Sequence, residues 1–305
     1  MSEINISAVI NTRNEEKNIE GCLRTLRFAD EIIVVDMESQ DATKQIAKSY
    51  TDKVFDTPMV GYVEPARNFA IKKAVGEWVL IVDADERISN TLAKKLIEIT
   101  EKGDVDFVRI PRKNLIFGQW TQHSRWWPDY NVRFFKKGMV QWQNEIHSIP
   151  ITTGIGINLD ADEALAIEHH HYHTVDEYFE RALRYSTQQA KELIDSGYKF
   201  DVKDLIVKPI NEFIGRFFAG DGYKDGLHGL ILAFLQMFSV MLIYLKVWQS
   251  EGHEPKKAGY LTPIWQKLFL EKFKELRYWY LTVLIQSQPS KIKRFLLKLK
   301  RKLTK

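Results

Sequence analysis

Four short apolar runs open the chain, separated by stretches with a different period. INISAVIN, DEIIVVDM, DKVFDT and EWVLIVDAD have the length and β-branched content of strands. EEKNIEGCLRTLRFA, ATKQIAKSY and EPARNFAIKKAVG between them place apolar residues at helical intervals. Strand and helix in alternation predict a parallel sheet covered by helices. Val79, Leu80, Ile81 and Val82 form a run without alternation, the pattern of a strand buried on both faces. From about residue 174 the pattern becomes helical. Thr174 caps a segment that spaces Phe179, Leu183, Ala190 and Leu193 along one face and stops at Gly197. Residues 229–245 then run for seventeen positions without a charge. That is the short limit for a bilayer span, so the expectation is a helix packed in the protein and partly immersed at a membrane surface; a transmembrane helix and a buried core helix are the alternatives.

The polar residues at the strand ends carry the chemistry. Val79–Val82 leads straight into Asp83-Ala84-Asp85-Glu86, three carboxylates within four positions, which alone reads either as a solvated helix cap or as a cation site. Asn11-Thr12-Arg13-Asn14-Glu15 follows the first strand and Asp36-Met37-Glu38-Ser39 the second. In a parallel sheet all three clusters converge on one edge, where ligands bind, and capping one helix would not require polar clusters at several strand ends. Neither GxGxxG nor GxxxxGK[ST] occurs, so dinucleotide and P-loop readings lose their main support.

Composition adds little until charge is mapped. With 305 residues, 45% of them hydrophobic, the chain is long enough for a sizeable core. A single cysteine, Cys22, excludes an intramolecular disulfide framework, fits a reducing compartment and is expected as an ordinary core thiol. MSEINISAVINTRNEE lacks a basic n-region, so a cytoplasmic location is expected. The net charge of +4 is unevenly spread: residues 256–305 hold 11 Lys and 3 Arg against Glu271 and Glu275, a net +12, which leaves −8 for residues 1–255. The final KIKRFLLKLKRKLTK interleaves Phe295, Leu296, Leu297, Leu299 and Leu303 with eight basic residues and no acid, the pattern of a helix lying on an anionic membrane. A solvated charged helix is the plainer alternative. Nucleic acid is not expected as a partner, since no recognised binding fold accompanies the tail.

VINTRNEEKNI, IIVVDMESQDAT and ARNFAIKKAVGEWVLIVDADE resemble, in this order, the amino-terminal half of family-2 glycosyltransferases of the GT-A fold. PRKNLIFGQW, WWPDYNVRFF, HHHYHTVDEYFERALRYST and GYKDGLHGLILAFLQMFSVMLIYLKVW resemble the subgroup containing lipopolysaccharide-core glucosyltransferases, and the likeness covers about residues 4–250. The resemblance implies an inverting transfer of a sugar from a nucleotide-diphosphate sugar, expected to be a UDP-sugar, to an acceptor hydroxyl in lipopolysaccharide or cell-envelope glycan synthesis. It implies a divalent Mg²⁺ or Mn²⁺ on the Asp-x-Asp motif: Asp85 as ligand, Asp83 on the ribose or the metal's waters, and His169 on the metal or diphosphate. Asp36 would accept from the base, Thr12, Asn14 and Glu15 would line the nucleotide, and Arg67 would face the base or diphosphate. Turn and cap roles are the bland alternative for each of these.

One departure from the pattern concerns the catalytic base. Where the subgroup shows a His-Glu pair, this chain reads Gln143-Asn144-Glu145-Ile146-His147-Ser148, with Ser148 in the glutamate's place. On an extended segment residues 145 and 147 share a face, so Glu145 is the expected base with His147 beside it, and Asp129 of WWPDY is the substitute. Trp120, Trp126 and Trp127 fit stacking on sugar rings or ordinary core packing. His169, His170, His171 and His173 are read as packing or surface residues apart from His169, with a dedicated zinc site disfavoured for want of cysteine or a second ligand pair.

The expected architecture is an α/β GT-A (Rossmann-like), mostly parallel sheet with flanking helices, followed by a helical membrane-associated region. Residues 1–173 would form the catalytic domain, with the nucleotide-sugar half at about 1–100 and the acceptor half at 101–173; 174–250 the helical region; and 251–305 the basic tail. Expected partners are the nucleotide-sugar donor, a glycolipid or glycan acceptor, and an anionic surface on the inner face of the cytoplasmic membrane. The alternatives are a polyprenyl-phosphate glycosyltransferase, which needs no protein base, and a non-catalytic sugar-nucleotide or glycan-binding protein.

Overall fold

A computed structural model describes residues 5–59, 64–142, 150–252 and 258–303. The chain divides into two compact units: Met1–Trp120 with Trp127–His171, and Thr121–Trp126 with Tyr172–Lys305. The short excursion Thr121–Trp126 is not separable by pattern in the sequence.

In the first unit the alternation is realised as β1 (Ile6–Thr12), α1 (Ile19–Thr25), β2 (Glu31–Asp36), α2 (Thr43–Lys48), β3 (Val54–Asp56), α3 (Glu64–Lys73) and β4 (Trp78–Asp83). β5 (Glu86–Arg87) and α4 (Asn90–Lys102) follow, with Ser89 capping the helix through Leu92 N and Gly103 closing it in the left-handed region at φ 63°. The remaining strands are β6 (Phe107–Ile110), β7 (Arg112–Ile116), β8 (Gln119–Trp120), β9 (Asn131–Lys136), β10 (Val140–Gln141), β11 (Ile151–Thr152), β12 (Gly156–Asn158) and β13 (Ile167–Tyr172). Seven strands form the main sheet in the order β12-β6-β9-β4-β1-β2-β3. β1 pairs parallel with β2 and β4, and β2 with β3, whereas β9 enters antiparallel between β4 and β6. A four-stranded sheet, β5-β13-β7-β8, lies beyond the end of β4.

Both faces of the main sheet are covered, as the unbroken apolar runs require. Even positions of β1 (Ala8, Ile10) pack with Ile19, Leu23, Val34, Leu80 and Leu92, and odd positions (Val9, with Ile33, Val35, Val79 and Ile81) pack with Ala66 and Ala70 of α3. Trp78 and Phe134 stack at 4.7 Å between ring centroids and lock the antiparallel strand onto the parallel set. Cys22 is buried in this core, and burial pushes its thiol up, as expected of an inert core thiol.

The second unit is helical: α5 (Val175–Asp195), α6 (Asp204–Ile214), α7 (Gly226–Ser250), α8 (Ala258–Ser287) and α9 (Lys291–Lys302). Thr174 caps α5 through Glu177 N. α7 packs on α5 and α6, burying Leu232, Ala233, Leu235 and Val247. Its polar residues are satisfied within the protein: Gln236 donates to Tyr178 Oη at 2.9 Å and accepts from Arg216 at 3.3 Å, and Ser239 meets Tyr178 Oη at 2.7 Å. Residues Gly222–Ser250 are long and apolar enough to cross a membrane, by length and composition only. Thr121–Trp126 is fastened here by His123, whose Nδ1 lies 2.6 Å from Asp225, and by Arg216, which donates to Ser124 O at 2.7 Å.

Phe134→Ala removes a fully buried ring from the β4–β9 junction and is expected to cost about 3–5 kcal/mol in urea unfolding. A loss below about 1 kcal/mol would show that this junction is not a packed part of the core.

Candidate active site

β1 and β4 are neighbours in the sheet, yet the chain proceeds from β1 to β2 and β3 in the other direction, so the strand order reverses between them. Such a switch point leaves a crevice beyond the carboxyl ends of the strands. Register brings Thr12 opposite Asp36 and Asn11 opposite Asp83 at this edge. Asn11, Thr12 and Asp36 are all buried, yet both amide atoms of Asn11, Thr12 Oγ1 and Asp36 Oδ1 have no hydrogen-bond partner among the described residues. Buried polar atoms are nearly always paired, so orphans gathered at one sheet edge make this edge the candidate site. Asp36 keeps one oxygen for the protein, accepting from Ser39 N at 2.9 Å.

The two loops at this edge are interlocked. Asn14 N donates to Ser39 Oγ at 2.9 Å, and Asn14 Oδ1 accepts from Gln40 N at 2.8 Å. Asn14 and Glu38 both take left-handed φ values, 54° and 59°. That strain is tolerated because the loops hold one another. Glu15 accepts from Asn18 Nδ2 at 2.8 Å at the start of α1. Asn14 and Glu15, expected from sequence to line the nucleotide, thus hold the loops in shape.

At the end of β4 the carboxylates meet guanidiniums. Arg133 of β9, itself buried, donates to Asp83 Oδ2 at 2.6 Å and to Glu86 Oε1 at 2.8 Å. Arg67 of α3 reaches Asp83 Oδ1 at 3.1 Å and lies 5.8 Å from the centre of the Trp142 ring. Glu86 is fully buried, accepts from Asp83 N at 2.9 Å and lies 3.5 Å from Arg112. Burial pushes Asp83 up, but Arg133 and Arg67 outweigh it and hold this carboxyl well below the usual carboxylate range.

Asp85 is oriented differently. Asp129 accepts from Arg112 at 2.6 and 2.8 Å and from Asn114 Nδ2 at 3.3 Å. Because a carboxylate only accepts, Asn114 must turn its amide nitrogen to Asp129 and its oxygen to His169 Nδ1, 2.6 Å away. Nδ1 of His169 therefore carries a proton, and Nε2 faces Asp85 Oδ2 at 3.4 Å. These two atoms are stable facing one another with a proton or a metal ion between them. The donor set of imidazole and carboxylate fits a divalent cation completed by ligand oxygens. Among the described residues no group of three or more His, Cys, Asp and Glu is arranged to hold a metal, so such a cation needs its other ligands from substrate or water. Asp83, with both oxygens turned to arginines, fits less well as a direct ligand.

The remaining candidates fall as follows. Glu145 and His147 lie outside the described residues. Asp129 is held by Arg112; burial pushes it up, yet the guanidinium keeps it below the usual range, which makes it a weak base. Trp120 and Trp127 meet edge to face at 5.3 Å in the first unit, with Lys113 over Trp120, while Trp126 belongs to the second unit beneath Arg216 at 5.2 Å. His171 packs against His169 at 4.5 Å and His170 meets Glu168 at 3.0 Å. Sequence reasoning missed Asn11, Glu86, Arg112, Asn114 and Arg133. The signal for Arg133 was available: a cation between the apolar residues of NVRFF needs a buried counter-charge.

With the fold and edge in place, comparison with known proteins fixes the class. The family model for Glycosyl transferase family 2 matches residues 7–166. An uncharacterized glycosyltransferase of Rickettsia typhi is 31% identical over 79% of this chain and 86% of its own length. The lipopolysaccharide core biosynthesis glycosyltransferase LpsC of Rhizobium meliloti is 25% identical over 81% of this chain and 93% of its own. The crystal structure of S. aureus TarS residues 1–349 in complex with UDP is similar over 83% of this chain and 93% of that one, at 16% identity and a TM-score of 0.43. The chain belongs to glycosyltransferase family 2, an enzyme family, as the strand-end motifs implied.

Asp83 has a depressed folded-state pKa, so its stabilisation is fully present above the unfolded value near pH 4 and is lost as pH falls below it. Asp83→Asn is expected to lower stability by about 1–3 kcal/mol at pH 7, with the gap to wild type narrowing progressively as pH falls below about 4. A gap that does not change with pH would contradict the ion pairing.

Proposed function

We propose that this glycosyltransferase moves a sugar, with inversion at the anomeric carbon, from a UDP-sugar to a hydroxyl of a glycolipid or polysaccharide in cell-envelope glycan synthesis at the cytoplasmic face of the membrane. The observation that carries the donor half is the set of orphaned buried polar atoms on Asn11, Thr12 and Asp36 at the switch point. Asp36 Oδ1, an acceptor, suits the N3–H of a uracil, and the Thr12 hydroxyl lies opposite it in the register. Asn11, opposite Asp83 on the neighbouring strand, suits the ribose. The similarity to LpsC supports the envelope acceptor.

In this reading Asp85 and His169 hold a divalent Mg²⁺ or Mn²⁺, and Asp83 reaches it only through water. When bound, the cation supplies Lewis-acid stabilisation to the departing diphosphate. Asn114 keeps His169 in the tautomer that offers Nε2. Arg133 keeps the half-buried Asp83 ionised and also pairs with Glu86, whose carboxyl burial pushes up. The bond from the anomeric carbon to the diphosphate oxygen breaks as the acceptor oxygen bonds to that carbon from the opposite side. The acceptor proton passes to a base, assigned from sequence to Glu145 with His147 beside it.

Asp85→Asn is expected to lower transfer at least about 100-fold with the fold retained by circular dichroism, because a cation ligand is lost where charge develops. Asp36→Ala is expected to act mainly on the donor's KM. Full activity of Asp85→Asn would remove it from the mechanism. The functional assignment itself is tested by release of nucleoside diphosphate from a panel of sugar nucleotides with and without EDTA. Release of UDP that EDTA abolishes and Mn²⁺ restores is the expected result. Turnover indifferent to EDTA, or none with any donor, would overturn it.

A further inference from the structure

α9 presents its amphipathic faces the wrong way round for a soluble helix. Its sequence KIKRFLLKLKRK holds five lysines, two arginines and no acid. At about 100° per residue, Ile292, Phe295, Leu296, Leu299 and, just past the helix end, Leu303 fall on one stripe. All five are exposed, at 75, 60, 51, 45 and 88%. The opposite stripe, Arg294, Leu297 and Arg301, is the one turned toward the protein and partly buried. Arg301 donates to Thr282 Oγ1 of α8 at 3.1 Å and lies 5.3 Å from the centre of the Tyr278 ring. Arg294 donates twice to Gln288 O, at 3.0 and 2.7 Å. Lys291, Lys298 and Lys302 flank the apolar stripe on one side, and Lys293 and Lys300 on the other.

In water an amphipathic helix buries its apolar stripe on its own protein and leaves its cations outside. Here arginines tie the helix to α8 and the apolar stripe faces out between two rows of lysines. We infer that α9 is a surface anchor: its stripe enters the acyl boundary of a bilayer and its lysines meet anionic headgroup phosphates, the surrounding helix lying in the plane of the interface. Lysine stems reach from the flanks of such a stripe to the headgroup level. The charge selects the occupant, because a second copy seated on the same stripe would bring seven cations against seven with no acid to offset them. The inference is independent of the donor and acceptor assigned above, since none of these residues belongs to the strand-edge site.

Flotation of the full-length protein with phosphatidylcholine vesicles, with and without a quarter phosphatidylglycerol, tests it. The protein is expected to float with the anionic vesicles and to be released as salt rises from 0.1 to 0.5 M. Phe295→Ser with Leu299→Ser is expected to lower partitioning at least about tenfold, and each of Lys293→Gln and Lys298→Gln about fivefold. As a check independent of folding defects, Leu296→Cys carrying an environment-sensitive fluorophore brightens on anionic vesicles and not on phosphatidylcholine alone; Cys22 is buried and escapes the label. Equal flotation of parent and Phe295/Leu299 variant, an unchanged fluorophore, or a dimer in sedimentation that the same substitutions dissociate would overturn the anchor.

Discussion

Two carboxylates three positions apart at the end of a central strand, the half-buried Asp83 and the fully buried Glu86, share one buried guanidinium. Arg133 sits within 2.8 Å of both. An unpaired buried carboxylate costs several kcal/mol, so without Arg133 the turn after β4 would have to open to water or take up protons. Because Arg133 belongs to the antiparallel β9, the inserted strand positions the chemistry as well as extending the sheet. Once Asp83 and Glu86 are fixed, Asp85 between them projects elsewhere, toward His169, and the two aspartates of the Asp-x-Asp motif acquire different environments.

That division gives the two aspartates of one short motif different electrostatic settings. Asp83 is held by arginines and kept ionised, a fixed negative charge beside the Asn11 end of β1. Asp85 faces an imidazole whose Nδ1–H is held by a relay running from Arg112 through Asp129 and Asn114. Asp129, the substitute candidate for the base, is consumed in that relay. The polar atoms left without partners at β1 and β2 complete the picture of an edge built for a ligand that carries its own donors, acceptors and charge.

Much of this was legible in sequence because period and position are local properties. The four strands alternating with three helices predicted the parallel core, and the carboxyl ends of β1, β2 and β4 place Thr12, Asp36 and Asp83 on one edge, with Asp85 two residues further along the chain. Partners brought together across long separations were not legible. Nothing near Asp83 in the chain announces Arg133, fifty positions on, and nothing near His169 announces Asn114. The direction of β9 was equally hidden, since NVRFFK has the same pattern in either orientation. The tail shows the limit most plainly: its amphipathic period was readable, but only the contacts of Arg294 and Arg301 reveal which stripe faces out.

The central claim is that the unpaired atoms at the carboxyl ends of β1 and β2 receive the donor's nucleotide. A crystal structure of the full chain with UDP and Mn²⁺ tests it most directly. The account predicts the uracil on Asp36 and Thr12, the ribose beside Asn11, and the diphosphate with its cation between Asp85 and His169. A nucleotide bound elsewhere, with Asn11, Thr12 and Asp36 still without partners, would contradict it.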